Sequence, residues 1–315
     1  MATESEIFFR ERKELVKGKM TEYFKQPGLS SGKLAQFWNG GSYSPDHALS
    51  KLKWRYDFEK GNAFEALCHD TATGNHTFFD KFFISDQKNQ PPDEVALAVP
   101  KEKEALEKLV VLTKDGKKSQ TYKKRHAYIE ECLFNPGLMP VCQSDYATLK
   151  ELAEKLCSMP FPQWHGLSEY LVGDYLGRCE WQSEHYWEKD NIGKKALADC
   201  LLCLDDVAIL ADIKYTSAFG NFRKLLRSKH WIQDIHYSEG IEETRKIRCE
   251  PMLFFVGCSG GENEPALAQI WRTDPRNRDE LKAEYDQLCS AYSAWERGGK
   301  QKKGWIADKT ERIWV

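Results

Sequence analysis

Ala198-Asp199-Cys200-Leu201-Leu202-Cys203-Leu204-Asp205-Asp206-Val207-Ala208-Ile209-Leu210-Ala211-Asp212-Ile213-Lys214 is the stretch on which the fold turns. Two apolar runs flank a pair of turn-forming aspartates, the pattern of a tight β-hairpin. With Asp205 and Asp206 as the loop, Leu204 faces Val207, and counting outward sets Asp199 directly across from Asp212. Side chains opposed in this way have Cβ atoms roughly 4.5–5.5 Å apart. Lys214 lies two residues beyond Asp212 and projects from the same face. Two carboxylates and one amine therefore converge at one end of an otherwise apolar hairpin.

Two like charges facing each other destabilise a sheet, and strands this apolar are usually buried on both faces. A divalent cation would remove the repulsion. Mg2+ takes oxygen ligands, commonly one or two carboxylates together with waters and substrate phosphates. The lysine could then orient or deprotonate a water, or neutralise charge on a phosphate in flight. This is the chemistry of metal-dependent phosphodiester hydrolysis. An Asp-x-Lys alone is too short a pattern to exceed a pair of strand-end residues in water. The second aspartate, the hairpin register and the lysine together point to a site.

Bulk properties set the frame. The chain has 315 residues, 41% of them hydrophobic, enough for one elaborated domain or two small ones around a large core. A net charge of -2 excludes a global basic field, so a nucleic-acid partner would be held by local patches. No run approaches ~18 apolar residues, so no membrane span is expected. The start, Met-Ala-Thr-Glu-Ser-Glu, is polar and acidic and is not a signal peptide. Ten cysteines are scattered along the chain, which is expected to be cytoplasmic with reduced thiols. Cys200 and Cys203 have the spacing of half a zinc or iron–sulfur site. Residues three apart on a strand point to opposite faces, so buried free thiols are expected instead.

Outward from the hairpin, residues 5–25 read as a charged amphipathic helix ended by Pro27-Gly28. Ser30-Ser31 can cap a helix to Trp38. The pattern from His47 to about Cys68 is helical and carries Glu65 among apolar neighbours, so this carboxylate is expected to be partly buried and to need a partner. Residues 84–100 read as a long connection and 101–112 as a short helix. A basic cluster follows, with Lys123, Lys124 and Arg125. Such a cluster is either a solvated face or a grip on nucleic-acid backbone. Ser144–Leu156 and Gly166–Leu176 look helical, and Trp181–Trp187 alternates as a strand. After Lys214 a helical pattern runs from about Ala218 to Ser238, with Arg223, Lys224, Arg227 and Lys229 in its first half and Gly240 as its expected stop. Gln233 and Tyr237 are four apart and share a face. Pro251–Val256 reads as a buried strand beside the hairpin, Ala266–Trp271 as one more, and Asp279–Trp295 as a final amphipathic helix.

Four features stand in order: Glu65 in a helix, Asp199, Asp212-Ile213-Lys214, and Gln233 to Tyr237. This order resembles the RecB-like branch of the PD-(D/E)XK nucleases. The likeness is nearest to the RecE (exonuclease VIII) nuclease domain and its phage relatives, similar in role to phage lambda exonuclease. Gly61-x-Ala63-Phe64-Glu65-Ala66-Leu67 and the stretch Trp231–Gly240 carry it locally, and it spans roughly residues 30–260. The family usually carries a His where Glu65 stands, and residues 260–315 match nothing in it.

The resemblance implies an α/β fold, with a central mixed sheet, the hairpin at its centre and flanking helices. It implies a single nuclease domain over 1–315, with a loop and basic insertion at 84–125 and an extension at 260–315. Asp199, Asp212, the backbone carbonyl of Ile213 and Glu65 would hold Mg2+ or Mn2+. Lys214 would position or activate the attacking water, and Gln233 would orient the lysine or the water. Tyr237 would brace its helix or touch DNA, and Arg223, Lys224 and Arg227 would grip phosphates. The implied activity is ATP-independent digestion of linear double-stranded DNA from the 5′ end, leaving a 3′ single strand. Its relatives are bacterial or phage-encoded, form ring-shaped homo-oligomers (often trimers), and act with a single-strand annealing protein in recombination. The alternatives are another nuclease on the same core, structure-specific, restriction-type or Cas4-like, and a catalytically inactive DNA-binding protein.

Overall fold

The computed structural model describes residues 23, 26–41, 59–86, 131, 134–135, 138–161, 170–259 and 266–298. In chain order its elements are helices α1 (Ser31–Gly41), α2 (Glu59–Thr73) and α3 (Thr77–Lys81), strands β1 (Phe82–Ser85) and β2 (Met139–Cys142), and helices α4 (Gln143–Cys157) and α5 (Val172–Arg178). Strands β3 (Glu180–Lys189), β4 (Ile192–Cys203) and β5 (Val207–Thr216) follow, then helix α6 (Phe219–Leu225), a π-helical turn (Leu226–His230) and helix α7 (Trp231–Arg245). The last described elements are β6 (Arg248–Cys249), β7 (Leu253–Cys258), β8 (Leu267–Arg272), a 3-10 turn and α8 (Arg278–Arg297). It divides into two compact units: Met1–Gln26 with Asp57–Gly177, and Pro27–Tyr56 with Arg178–Val315.

In the first unit α2 buries Ala63, Phe64, Leu67 and Cys68, at helical spacing, and packs on α4, which buries Leu149, Leu152 and Leu156. Asp70 caps α3, its carboxylate accepting from the backbone N–H of Thr77 at 2.7 Å and of Phe78 at 2.8 Å. β1 and β2 form a two-stranded parallel pair that the sequence does not announce. Each is only four residues long and one contains Pro140, which is too little for a periodic pattern. The expected connection from residue 84 is thus strand up to Ser85, and residues 87–130 lie outside the described residues.

The second unit is built on a mixed sheet in the order β3-β4-β5-β7-β8, with β6 also paired to β5. β4 and β5 form the antiparallel hairpin, with pairs running from Cys203–Ala208 to Cys200–Ala211. The N–H of Leu204 donates to the carbonyl of Val207 at 2.9 Å, so Asp205 and Asp206 are the loop and the register is the one predicted. β5 is parallel to β7, with Asp212 beside Phe254 and Lys214 beside Val256. Parallel neighbours need a long crossover, and α6, the π turn and α7 supply it. All six residues of β7 are buried, as expected for an interior strand.

Leu201, Ala208, Leu210, Phe254 and Val256 share a core with Phe222 of α6 and Ile241 of α7. Helix α7 uses its other side to pack Trp231, Ile232 and Ile235 against Leu34 and Phe37 of α1 and Tyr285 and Leu288 of α8. Residues 266–298 are therefore integral to this unit, with β8 pairing to β7 and α8 packing on α7. Ser30 caps α1 as expected, its hydroxyl accepting from the N–H of Lys33 at 3.3 Å. Cys200 is buried and Cys203 exposed, on opposite faces of β4. Among the described residues no helix is long and apolar enough to cross a membrane.

Gly240 does not stop its helix. α7 runs on to Arg245 and ends at Lys246 in the left-handed conformation (φ 57°, ψ 33°). The glycine is there for space: a Cβ at this position would stand 2.8 Å from the Trp187 ring. Gly240→Ala is expected to destabilise the fold by about 1–3 kcal/mol through overpacking, although alanine is the better helix former by about 1 kcal/mol. Urea unfolding of the two proteins measures the difference, and an unchanged or raised midpoint would contradict the packing argument.

Candidate active site

The site lies where the hairpin strands part. Inward of the Cys200–Ala211 pair, the next positions in register are Asp199 and Asp212. Further along β4, its free edge is taken by Leu29: the N–H of Leu29 donates to the carbonyl of Gly193 at 2.8 Å, and that of Lys195 donates to the carbonyl of Leu29 at 3.0 Å. β5 instead continues alongside β7. At the fork the N–H of Ile213 donates to Oδ2 of Asp199, at 3.4 Å. Asp199 is half-buried, and the Ile213 side chain is buried on the opposite face from Asp212 and Lys214.

Asp212 and Lys214 continue the face of β5 that carries Ala208 and Leu210, the face covered by α6 and α7. The Asp212 side chain is only 2% exposed, and its Oδ2 pairs with the Lys214 ammonium. Oδ1 accepts a hydrogen bond from Nε2 of Gln233 at 2.7 Å. Oδ2 is buried and receives no well-directed hydrogen bond among the described residues, so the lysine contact is electrostatic rather than a complete replacement for water. Lys214 keeps 26% of its side chain exposed. Gln233, expected to orient the lysine or a water, holds the aspartate.

Tyr237 sits one turn beyond Gln233. Burial, then the charges of Asp199 and Asp212, push its phenol well above the ordinary value, while hydrogen bonds with Ser31 and Gln233 pull the other way. The ring thus stands beside both aspartates in its neutral form.

Two further neighbours come from the π turn: Lys229, one of the basic residues noted in the sequence, and His230, which sequence reasoning does not single out. His230 is buried and bonds through Nδ1 to Oε1 of Gln233 at 3.1 Å. Burial, then the positive charges of Lys214 and Lys229, hold its pKa down to about 3. Lys229, half-buried, is held below the ordinary lysine value by burial and by Lys214, with Asp212 opposing. Its spacing of four from Gln233 places the two on one helical face, a signal visible in the sequence. Arg223, Lys224 and Arg227 are exposed.

Glu65 is half-buried on α2 in the first unit, where its charge acts on Cys68. Lys123, Lys124 and Arg125 lie outside the described residues. Among the described residues no three His, Cys, Asp or Glu side chains cluster closely enough to hold a metal ion. Asp199 and Asp212 nevertheless fit a hard cation that uses one or two carboxylates and fills its shell with water and phosphate. The buried Oδ2 without a hydrogen bond is the group most in need of such a partner.

Behind the site, His236 is fully buried, its Nε2–H donating to the carbonyl of Lys195 at 3.0 Å and its Nδ1 accepting from the Tyr285 hydroxyl at 2.7 Å. Burial lowers its pKa to about 4. In the unfolded chain a histidine takes its proton near pH 6.5. The unfolded state therefore binds more protons between these values, and stability falls as the pH drops from 6.5 toward 4. The expected loss from His236 is on the order of 3 kcal/mol. His230 acts in the same direction. Urea midpoints at pH 7, 5.5 and 4 measure the slope, which His236→Gln is expected to flatten. A midpoint independent of pH over this range would refute the assignment.

No family model matches the chain, and no curated protein matches it. Among solved structures the chain is similar to one from Eubacterium rectale named "Putative exonuclease", with a TM-score of 0.38 and 10% sequence identity over 95% of this chain and 88% of that one. A likeness of that size bears on neither the site nor the reaction.

Proposed function

We propose that the chain is a metal-dependent nuclease, an exodeoxyribonuclease that degrades linear double-stranded DNA from the 5′ end. The observation that carries this reading is the buried Asp212, held by Gln233 and paired with Lys214, next in register to Asp199 at the fork of the hairpin. Asp199, Asp212 and the Ile213 carbonyl would hold Mg2+ or Mn2+. Bound there, the metal supplies positive charge to the phosphate and acidity to a water.

The chain's own residues supply the rest. Lys214, fixed at one end of its reach by Asp212 and partly open to solvent, holds the attacking water and neutralises charge growing on the phosphate. Gln233 keeps the Asp212 carboxylate from rotating. The exposed Arg223, Lys224 and Arg227 grip backbone phosphates and position the duplex without reading its sequence. The 5′ polarity, a trimeric ring and an annealing-protein partner in recombination rest on the resemblance to RecE-type nucleases.

Linear duplex labelled at the 5′ or the 3′ end, beside a closed circular control, in Mg2+ or EDTA, tests the proposal. Early loss of the 5′ label, an intact circle and no reaction in EDTA are expected. Nicking of the circle would make it an endonuclease on the same core, and inertness under every condition would leave a binding protein.

A further inference from the structure

The proton on His230 is fixed by what lies beyond it. The Asp212 carboxylate can only accept hydrogen bonds, so the group of Gln233 that faces it at 2.7 Å must be the NH2. The amide oxygen therefore faces His230, at 3.1 Å from Nδ1. An oxygen there accepts, so Nδ1 must carry the hydrogen. We infer that His230 is a positioning residue: its Nδ1–H locks the Gln233 amide in the one orientation that clamps Oδ1 of Asp212 and leaves Oδ2 to Lys214 and the cation.

Three observations make the lock rigid. The ring stacks on Phe222, with centroids 5.5 Å apart and planes at 25°, and packs against Phe254 at 5.6 Å. It is 6% exposed, so water does not compete for Nδ1. Burial, then the neighbouring charges of Lys214 and Lys229, keeps the ring neutral, with a single proton to place. The residue also closes the π-helical turn Leu226–His230, a widening of the helix that is frequent at functional sites. Without the donor, the Gln233 amide loses one of the partners that distinguish its two ends, and the Asp212 carboxylate must hold it without that support. In the flipped orientation its oxygen would face the carboxylate.

The functional half of this inference rests on the metal-dependent reading above, and the test separates the two. Nitrogen NMR of the metal-free wild type, with His230→Asn to assign the signal, is expected to show the Nδ1–H tautomer. An Nε2–H tautomer overturns the inference whatever the protein hydrolyses. Calorimetry with Mn2+ then compares wild type, His230→Phe and His230→Asn. The phenylalanine keeps the ring stack without the donor and is expected to weaken binding by about 10–100-fold, as the loss of a group supporting a metal ligand does. The asparagine places an N–H where Nδ1–H stands and is expected to recover most of the affinity. A merely structural role would not give that recovery, and equal affinity in wild type and His230→Phe overturns the lock. A wild type that binds no Mn2+ refutes the metal reading instead, and the tautomer alone then decides the role of His230.

Discussion

Asp212→Asn is expected to reduce metal-dependent hydrolysis by about 10³-fold or more while leaving the protein folded. The substitution keeps the shape of the side chain and removes its charge. Three consequences follow at one point. The buried Oδ2, which has no directed hydrogen bond, is no longer an anion that calls for a cation. Lys214 loses the group that anchors its ammonium. Gln233 can still bond to the amide oxygen, so the helix α7 stays in place. The combined loss of charge stabilisation amounts to several kcal/mol, and each ~1.4 kcal/mol is tenfold in rate. Rates on linear duplex in Mg2+, with a melting curve as the control for folding, measure it. Activity within tenfold of wild type would place the chemistry away from the hairpin.

The hairpin was legible because the two strands are apolar runs interrupted by the one pair of residues that favours a turn, and a wrong count would have put Asp212 on the opposite face from Asp199. β7 was legible as a continuous apolar run, buried on both faces, and β8 and α8 by the simple period of their apolar residues. What the sequence hides is everything set by residues distant along the chain. The parting of β4 from β5 depends on Leu29, which takes the backbone groups of Gly193 and Lys195 that β5 would otherwise reach. Gly240 looks like a helix stop until Trp187, on another strand, is seen to fill the space above it. Gln233 was placed correctly on a face, but its partners, Asp212 and His230, depend on how the π turn sets the helix against the sheet. Glu65 was expected to be partly buried, and it is; its role in the site was carried by resemblance, whereas the fork is read from hydrogen bonds.

The largest effect on stability is expected from Glu239→Gln. This glutamate is 3% exposed on α7, and nothing in the local sequence marks it. Its Oε1 accepts from Lys194 Nζ at 2.5 Å and from Trp187 Nε1 at 3.1 Å; its Oε2 faces Lys189 at 3.0 Å and Lys282 at 3.1 Å. Burial alone would raise its pKa, but the hydrogen bond and charge of Lys194, with Lys189 and Trp187, bring it down to about 2. Lys194 is itself 2% exposed and lies over the Tyr285 ring at 4.9 Å. One carboxylate thus ties β3, β4 and α8 to α7. Removing its charge leaves Lys194 buried without an anion, a change that costs about 3–5 kcal/mol, whereas replacing a whole buried pair by apolar side chains is often neutral. Glu239→Gln is therefore expected to lower the urea midpoint sharply, and the double variant Glu239→Met with Lys194→Met to recover most of the loss. Recovery would show that the cost is the stranded lysine. A double variant as unstable as the single one would show that the carboxylate acts through Lys189, Lys282 and Trp187, and that α8 is held to the sheet by charge rather than by its apolar face.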